Sequence, residues 1–202
     1  MKPILVLFFS FLFLLPCRAQ TETGKNNSNY GVTISFPWVN YYNYVDYQSK
    51  QSRRTFGFFG IGLAGYYKKG VNKISFNVCT TQDLSSPIAI VSYKKNEIHT
   101  SIGCSYFELI NHHPISESIY IIGGLNFTNY AFRLESTIDS VSSYKIANQT
   151  LGFSLGLEYR FSNYYSVAAV YRPAFASFET DGKYRHLINI DLRIDLDFKK
   201  RN

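Results

Sequence analysis

Beyond its first 20 residues, the 202-residue chain has no apolar run that approaches the ~20 residues a membrane-spanning helix requires. This lack excludes a helical membrane protein. The chain also lacks a zinc-ligand spacing, a glycine-rich phosphate loop and an internal repeat, so neither a metal nor another cofactor is expected. Its formal net charge of +7 comes from scattered lysines and arginines and from residues 199–201. No basic stripe suits nucleic acid.

Residues 1–20 are predicted to be a signal peptide. A positively charged start precedes the apolar run 4–15, and Pro16 ends that run shortly before the small residue Ala19. Cleavage is expected after Ala19 or Gln20, and the mature chain is expected to be exported. The alternative is a lipoprotein acylated at Cys17, which is disfavoured because a proline is a poor residue to precede that cysteine.

Period-two alternation of apolar and polar residues runs through almost all of the mature chain and predicts eight β-strands. It is clearest in the last segment, where the apolar residues are Ile188, Ile190, Leu192, Ile194, Leu196 and Phe198 and the residues between them are Asn189, Asp191, Arg193, Asp195 and Asp197. The first apolar residues of the other seven segments are Val32, Phe59, Ile74, Ile98, Ile121, Phe153 and Tyr165. The strands span residues 30–198, with a short periplasmic segment (21–29) before them and a basic tail (199–202) after them.

The connections between the predicted strands alternate in length. Tight turns are expected at 69–70, 111–116 and 162–164, and long polar loops at 40–54, 81–95 and 135–144. Short turns at one end and long loops at the other are typical of outer-membrane barrels, whose termini lie on the short-turn, periplasmic side. Residues 88–91 are apolar enough to add further strands, which leaves the strand count open.

The last hairpin departs from this alternation of lengths, because a short connection is expected at the end that otherwise carries the long loops. Asp181-Gly182, between strands seven and eight, is a common two-residue turn signal. A turn there sets Phe175 opposite Ile188 and Arg172 opposite Asp191. Apolar then meets apolar and charge meets opposite charge.

The less bulky face of the strands predicts which side meets lipid. It is rich in glycine, alanine and serine, as at Gly60, Gly62, Gly152 and Gly156. Small residues suit a narrow interior and suit a water-facing surface badly, so the bulky apolar face is expected to point outward into lipid. A soluble, lipocalin-like cup with an apolar interior is the alternative.

The leader, the alternating strands and the closing run Ile190-x-Leu192-x-Ile194-x-Leu196-x-Phe198 resemble the small OmpA/OmpX-type outer-membrane barrels over roughly residues 30–198. The resemblance implies an all-β fold, an eight-stranded antiparallel up-and-down transmembrane barrel in the cell outer membrane of a Gram-negative bacterium. Members of this group usually end at a terminal aromatic residue, whereas residues 199–202 extend this chain past Phe198.

Charged residues on the inward face of three strands form the first candidate site. They are Glu158, Arg160, Arg172, Asp191, Arg193 and Asp195. Buried charges must be paired, so a structural ion-pair network that fills the lumen is expected. The alternative is a narrow path for ions or very small solutes.

A lipid A-modifying enzyme is a further alternative, because small barrels of this kind include such enzymes. His99, Ser101 and Glu97 share one predicted inward face and resemble a nucleophile–base–carboxylate set. They face the lumen rather than lipid, and His112 and His113 are placed in a turn at the other end. The chain is therefore predicted to be non-catalytic.

Tyrosines in the first long loop form the last candidate site. Tyr41, Tyr42, Tyr44 and Tyr47 lie among polar residues, a composition of adhesive surfaces and equally of an aromatic girdle. A structural or surface-interaction role carried by the loops is expected, with outer-membrane lipid and lipopolysaccharide, and an extracellular or membrane protein, as partners of a monomer. Membership of an export or uptake complex is an alternative. Cys79 and Cys104 are expected on opposite faces and unbonded.

Overall fold

A computed structural model describes residues 28–46, 50–83, 98–136, 138, 142–179 and 183–198. The eight strands are β1 (Ser28–Val45), β2 (Ser52–Gly57 and Phe59–Lys69), β3 (Asn72–Gln82), β4 (Ile98–Pro114), β5 (Ile119–Ser136), β6 (Tyr144–Arg160), β7 (Tyr165–Ser177) and β8 (His186–Phe198). Each strand pairs antiparallel with the next, and β8 pairs with β1. This closed up-and-down barrel confirms the predicted fold class. No helix in the described part of the chain is long and apolar enough to cross a membrane.

Strand β2 is interrupted where it passes Pro37 of β1. The pairings Ser35↔Gly62 and Asn40↔Gly57 keep one register on both sides of the break. Because proline has no N–H to donate, the hydrogen-bond ladder is broken at that point. On its other side, β1 carries a bulge between Pro37 and Val39 against β8, and this bulge leaves Trp38 exposed on the outer surface.

The side chains alternate between a polar interior and an apolar exterior, as predicted for most of the strands. Ile61, Leu63, Phe76 and Leu125 are each about half exposed, whereas their strand neighbours point inward. Strand β4 is the exception. Ile102 and Tyr106, which follow Ile98 on the face expected from the alternation to meet lipid, are buried in the lumen. Because each face of β4 mixes apolar and polar residues, alternation alone does not separate them.

The predicted register of the last hairpin is wrong by four residues. Strands β7 and β8 pair Tyr171 with Ile188 and Ala168 with Asp191, and Arg172 lies opposite Leu187. An even shift preserves which side chains point inward, so the predicted faces of these strands are still found. The predicted turn residues 181–182 lie outside the described residues.

Long strands replace much of the predicted loops and turns. Strand β1 continues through Val45 and β2 begins at Ser52, so residues 40–45 and 52–54 are not loop residues. Strand β4 likewise runs through His112 and His113 to Pro114, and the turn follows it. The predicted tight turn after Lys69 is present but lies one residue further on, at 70–71, with Lys69 still paired with Asn72 and Gly70 at a φ of 60°. Residues 84–97, which include 88–91, lie outside the described residues.

Two adjacent glycines of β5 provide a test of the interior packing. A Cβ on Gly124 would overlap the Leu109 carbonyl oxygen and crowd Ile110, whereas a Cβ on Gly123 would meet nothing within 4 Å. Because a backbone atom is a poor partner to displace, we expect Gly124→Ala to lower the temperature of the heat-induced gel-mobility shift by about 5 °C. Gly123→Ala is the matched control and should leave it unchanged. Equal shifts for both variants would contradict this packing.

Candidate functional site

The lumen contains an ionic layer, defined here by Lys73, Glu108, His112, Glu158, Arg160, Arg172, Asp191, Arg193 and Asp195. It brings the six sequence-predicted lumen residues, Glu158, Arg160, Arg172, Asp191, Arg193 and Asp195, into one region and adds Lys73, Glu108 and His112 to them. Eight of the nine side chains are buried, and Arg160 is partly buried. Most of the contacts join strands that are not neighbours in the sheet.

Glu108 and Arg172 form a pair across the barrel, from β4 to β7. Nε of Arg172 donates to Oε2 of Glu108 at 2.9 Å, and Nη2 donates to Oε1 at 3.0 Å. Asn77 and Ser154 donate to the same carboxylate at 2.8 and 2.7 Å. This bidentate geometry, with further donors, satisfies a carboxylate that is only 2% exposed.

Asp191 also contacts Arg172, although the two are not opposite each other in the sheet. Nη2 of Arg172 lies 4.0 Å from Oδ2 of Asp191, and Arg193 donates to that oxygen at 3.0 Å. The long arginine side chain reaches its partner diagonally. The predicted proximity of Arg172 and Asp191 is therefore present without the predicted register.

Glu158 lies at the centre of the remaining contacts. Arg160 donates to its Oε1 at 2.8 Å, Nδ1 of His112 lies 2.6 Å from Oε2, and Nη1 of Arg193 lies 3.4 Å from Oε2. Nε2 of His112 in turn lies 3.1 Å from the Ser75 hydroxyl. The three side chains Ser75, His112 and Glu158 therefore form a serine–histidine–carboxylate chain across β3, β4 and β6.

Lys73 and Asp195 link β3 to β8 toward the short-turn end, the end of the barrel that carries the turns 70–71, 115–118 and 161–164. Nζ of Lys73 donates to both Asp195 oxygens, at 2.8 and 2.6 Å, and Thr33 donates to Oδ1 at 2.5 Å. Tyr66 donates to Asp197 beside them. A cavity of about 700 Å³ opens at this end, and Arg160 is among the residues that line it.

A mainly apolar cluster fills the lumen beside the ionic layer. Its buried residues are Tyr42, Cys79, Ile102, Cys104, Tyr106, Tyr130 and Leu187. The Arg172 guanidinium lies over the Tyr106 ring, 4.1 Å from its centroid, which joins the cluster to the ionic layer. Cys79 and Cys104 have free thiols, as predicted, but both point inward, so their predicted placement on opposite faces is wrong.

The tyrosines predicted as loop contacts separate onto different surfaces. Tyr42 is fully buried in the lumen, and Tyr44 packs against the same inner cluster. Tyr41 packs on Phe56 and His186, with ring centroids 4.9 and 5.8 Å away. Tyr47 lies outside the described residues. Because strand β1 continues past Asn40, its alternation turns neighbouring tyrosines to opposite sides of the wall.

The serine–histidine–carboxylate chain has the composition of a hydrolase site but not its accessibility. Ser75, His112 and Glu158 are each 1% exposed, so a substrate has no route to the hydroxyl. The predicted inward placement of Ser101 is wrong, because it lies on the outer side of β4. The side chains of His99 and Glu97 are not among the described ones. In the described part of the chain, no group of three or more His, Cys, Asp or Glu side chains could hold a metal ion.

Comparison with solved structures identifies barrels of the same architecture. Ail, the attachment invasion locus protein of Yersinia pestis, was solved in complex with the heparin analogue sucrose octasulfate; it matches with a TM-score of 0.54 and 12% identity over 87% of this chain and 100% of that chain. A major outer membrane protein from Thermus thermophilus matches with a TM-score of 0.53 and 12% identity over 85% and 99%. The chain has the fold of the small eight-stranded outer-membrane β-barrels.

This likeness confirms the resemblance inferred from the strand pattern, at the level of the fold. No protein-family model matches the chain, and no curated protein matches it. At 12% identity the neighbours carry no residue-level assignment to this chain. The contacts of its own side chains must therefore support any function.

Sequence reasoning missed Lys73, Glu108 and His112. Lys73 and Glu108 lie in segments whose other inward residues are mostly uncharged, such as Ser75 and Asn77 beside Lys73 and Ile102 and Tyr106 beside Glu108, and His112 was placed in a turn. Strand alternation could have revealed Glu108 and His112, because Ile102, Tyr106, Glu108 and His112 are even-numbered and share one face of β4. Two charged residues on that face indicate the lumen more strongly than two apolar residues indicate lipid, because an unpaired charge in lipid is costly.

The buried pair Glu108–Arg172 should show strong energetic coupling. We expect Arg172→Met to lower the free energy of unfolding by about 3–5 kcal/mol, because it leaves the carboxylate buried without its main cation. Adding Glu108→Gln should restore much of that loss, since the side chain becomes neutral while its amide oxygen can accept from Asn77 and its amide nitrogen can donate to the Ser154 hydroxyl. Denaturant unfolding followed by fluorescence of the single tryptophan, Trp38, measures both.

The pair of Arg53 and Asp46, in which only the aspartate is buried, is the comparison for this double-mutant cycle. Its arginine side chain is 57% exposed and the aspartate 7%, so Arg53→Met should cost clearly less than Arg172→Met, whose two partners are both buried. If the two substitutions in the buried pair had simply additive effects, the coupling inferred from their geometry would be wrong.

The buried serine should not react as a nucleophile. We expect a fluorophosphonate probe to leave Ser75 unlabelled in the folded protein, because the probe cannot enter the filled lumen. Intact-protein mass spectrometry before and after incubation measures labelling, with Ser75→Ala and His112→Ala as paired variants. Labelling of the native chain that disappears in both variants would instead demonstrate an accessible catalytic serine.

Proposed function

We propose that the chain is a non-catalytic outer-membrane barrel whose surface at the long-loop end binds extracellular partners. The long-loop end carries the connections 46–51, 83–97, 137–143 and 178–185. The filled lumen is the observation that supports this role most directly. Side chains as large as Arg172, Tyr106 and Tyr42 are fully buried inside the barrel, so a ligand that arrives from the long-loop end meets the outer wall and the loops rather than an open lumen.

The apolar exterior supports the membrane location. Large hydrophobic side chains are exposed on the strands, among them Leu63, Phe76, Leu109, Leu157 and Ile190. A continuous apolar belt of this kind is costly in water and favourable in lipid. Export by the signal peptide proposed for residues 1–20 would deliver the chain to the outer membrane.

The ionic layer acts, in this proposal, as a structural plug. Its four cations, Lys73, Arg160, Arg172 and Arg193, meet four carboxylates, Glu108, Glu158, Asp191 and Asp195. The charges therefore balance, and the contacts tie opposite walls together. A conducting path would need a row of hydrated, unpaired groups, whereas these groups bind one another.

The hairpin between β1 and β2 provides the surface proposed for binding. Lys50, Arg53 and Arg54 are all exposed at its end, and Phe56 follows them on the outer face. Clustered cations favour polyanionic ligands such as sulfated glycans. The Ail neighbour was solved with a heparin analogue, which makes heparin a suitable first probe for this surface.

Whole-cell binding tests the proposal. Cells of a Gram-negative host that display the full chain should bind heparin-coated beads, and Lys50→Gln with Arg54→Gln should reduce that binding several-fold. Both replaced residues are exposed, so the barrel should still fold, which the heat-induced gel-mobility shift verifies. Added salt should weaken binding in the same direction, because the attraction is electrostatic.

The matched control replaces two cations at the opposite end of the barrel. Lys68→Gln with Lys69→Gln removes the same charge near the short-turn end and should leave bead binding unchanged. Equal loss in both double variants would show a net-charge effect rather than a binding surface. Steady ionic conductance of the purified barrel in a planar bilayer would contradict the plug and favour the channel alternative.

A further inference from the structure

The outer face of β3–β6 changes from apolar to polar within one step along the strands. Val78, Phe107, Phe127 and Leu151 lie side by side in register across the four strands. The next outward row toward the long-loop end is entirely polar and consists of Thr80, Ser105, Asn129 and Gln149. In a membrane barrel, such a step marks the depth at which acyl chains give way to headgroups.

A small groove lies directly above this step. Gly103 and Ala131 are paired across β4 and β5 and form a low floor between larger polar side chains. The polar lining includes Thr80, Gln82, Ser101, Ser105, Asn129, Arg133 and Lys145. The cavity of about 100 Å³ is well below the usual ~300–1,000 Å³ of small-molecule pockets, so it suits a single small polar group.

Two cations lie side by side at this groove. Arg133 of β5 pairs in register with Lys145 of β6, and both line the cavity. Like charges directly opposite each other in a sheet are destabilising. No ion pair joins either residue to another of the side chains that the structure describes. An anion bound between the two would remove their repulsion and gain contacts from both.

The outer face of β1, β7 and β8 carries different side chains at the long-loop end. There, His186 makes tilted or edge-on ring contacts with Tyr41, Tyr171 and Tyr184, and the exposed Arg54 of β2 lies across Asn43 from it. Aromatic rings are usual at the membrane boundary of a barrel. The row of hydroxyl and amide side chains over β3–β6, with two cations directly opposite each other above it, differs from this aromatic group.

We propose that this groove binds a phosphate group of a phosphorylated lipid in the outer leaflet, held between Arg133 and Lys145. The proposal rests on the outer-membrane location proposed above. A lipid is favoured over a soluble anion because the apolar row begins directly below the groove. Acyl chains can pack on Phe107 and Phe127 while the phosphate accepts hydrogen bonds from the cations and from Ser101.

Lipid retention by the purified full-length barrel tests the proposal. The protein is reconstituted in phosphatidylcholine vesicles that contain either lipid A with its phosphates or lipid A from which they have been removed. Native mass spectrometry then measures the fraction of barrels that retains lipid A after gentle detergent extraction. We expect a preference of about thirtyfold for the phosphorylated form, from two cations at the surface.

Arg133→Gln with Lys145→Gln should abolish that preference, and the control Lys68→Gln with Lys69→Gln should keep it. The single variant Lys145→Glu, which reverses one charge, provides a second test if the double variant folds poorly. An unchanged preference in a folded groove variant would overturn the proposal. So would displacement by inorganic phosphate alone or by heparin, because the site would then be one for soluble anions or for glycans.

Failure of the outer-membrane assignment gives a different result. A chain that does not insert into the vesicles and shows no heat-induced mobility shift would refute the membrane barrel itself. A chain that inserts and shifts but retains both forms of lipid A equally would refute only the phosphate site.

Discussion

The pairing of buried charges across a narrow lumen is the constraint on which the rest of the structure depends. Glu108 on β4 and Arg172 on β7 lie on opposite walls, and neither is tolerated there without the other. The same holds for Lys73 of β3 and Asp195 of β8, which are not sheet neighbours. Hydrogen-bond ladders determine how adjacent strands pair and, together with the strand number, how wide the barrel is, whereas these contacts determine which side chains can fill it.

The filled interior is also the basis of the proposed function. A barrel whose inner surface is occupied by its own side chains has its outer wall, its rims and its loops available for binding. The outer wall is not uniform at the long-loop end, since ring contacts around His186 dominate over β1, β7 and β8, whereas hydroxyl and amide groups with two adjacent cations lie over β3–β6. The two sides of the barrel therefore differ in what they can bind.

Most of the fold could be predicted from the sequence because strand alternation is a local property. The last strand, from Ile188 to Phe198, shows it without exception. Two features could not be predicted in this way: the register between neighbouring strands, and the orientation of a strand whose two faces each mix apolar and polar residues. The faces of β4 depend on which partner Glu108 finds across the lumen, and the position of His112 depends on where the strand ends. Both are determined by residues far away in the chain, and the alternation within one segment gives no information about contacts with those residues.

The pairing of the first strand is irregular on both of its sides at the level of Pro37. Strand β1 joins the two ends of the sheet, and its ladder is interrupted toward β2 and bulged toward β8 at the same level. The segments of β1 on either side of this level are therefore held by separate runs of pairing, 28–35 and 40–45 toward β2 and 30–37 and 39–43 toward β8. The exposed Trp38 lies between these runs, so the closing strand is fixed at both ends and least regular in its middle.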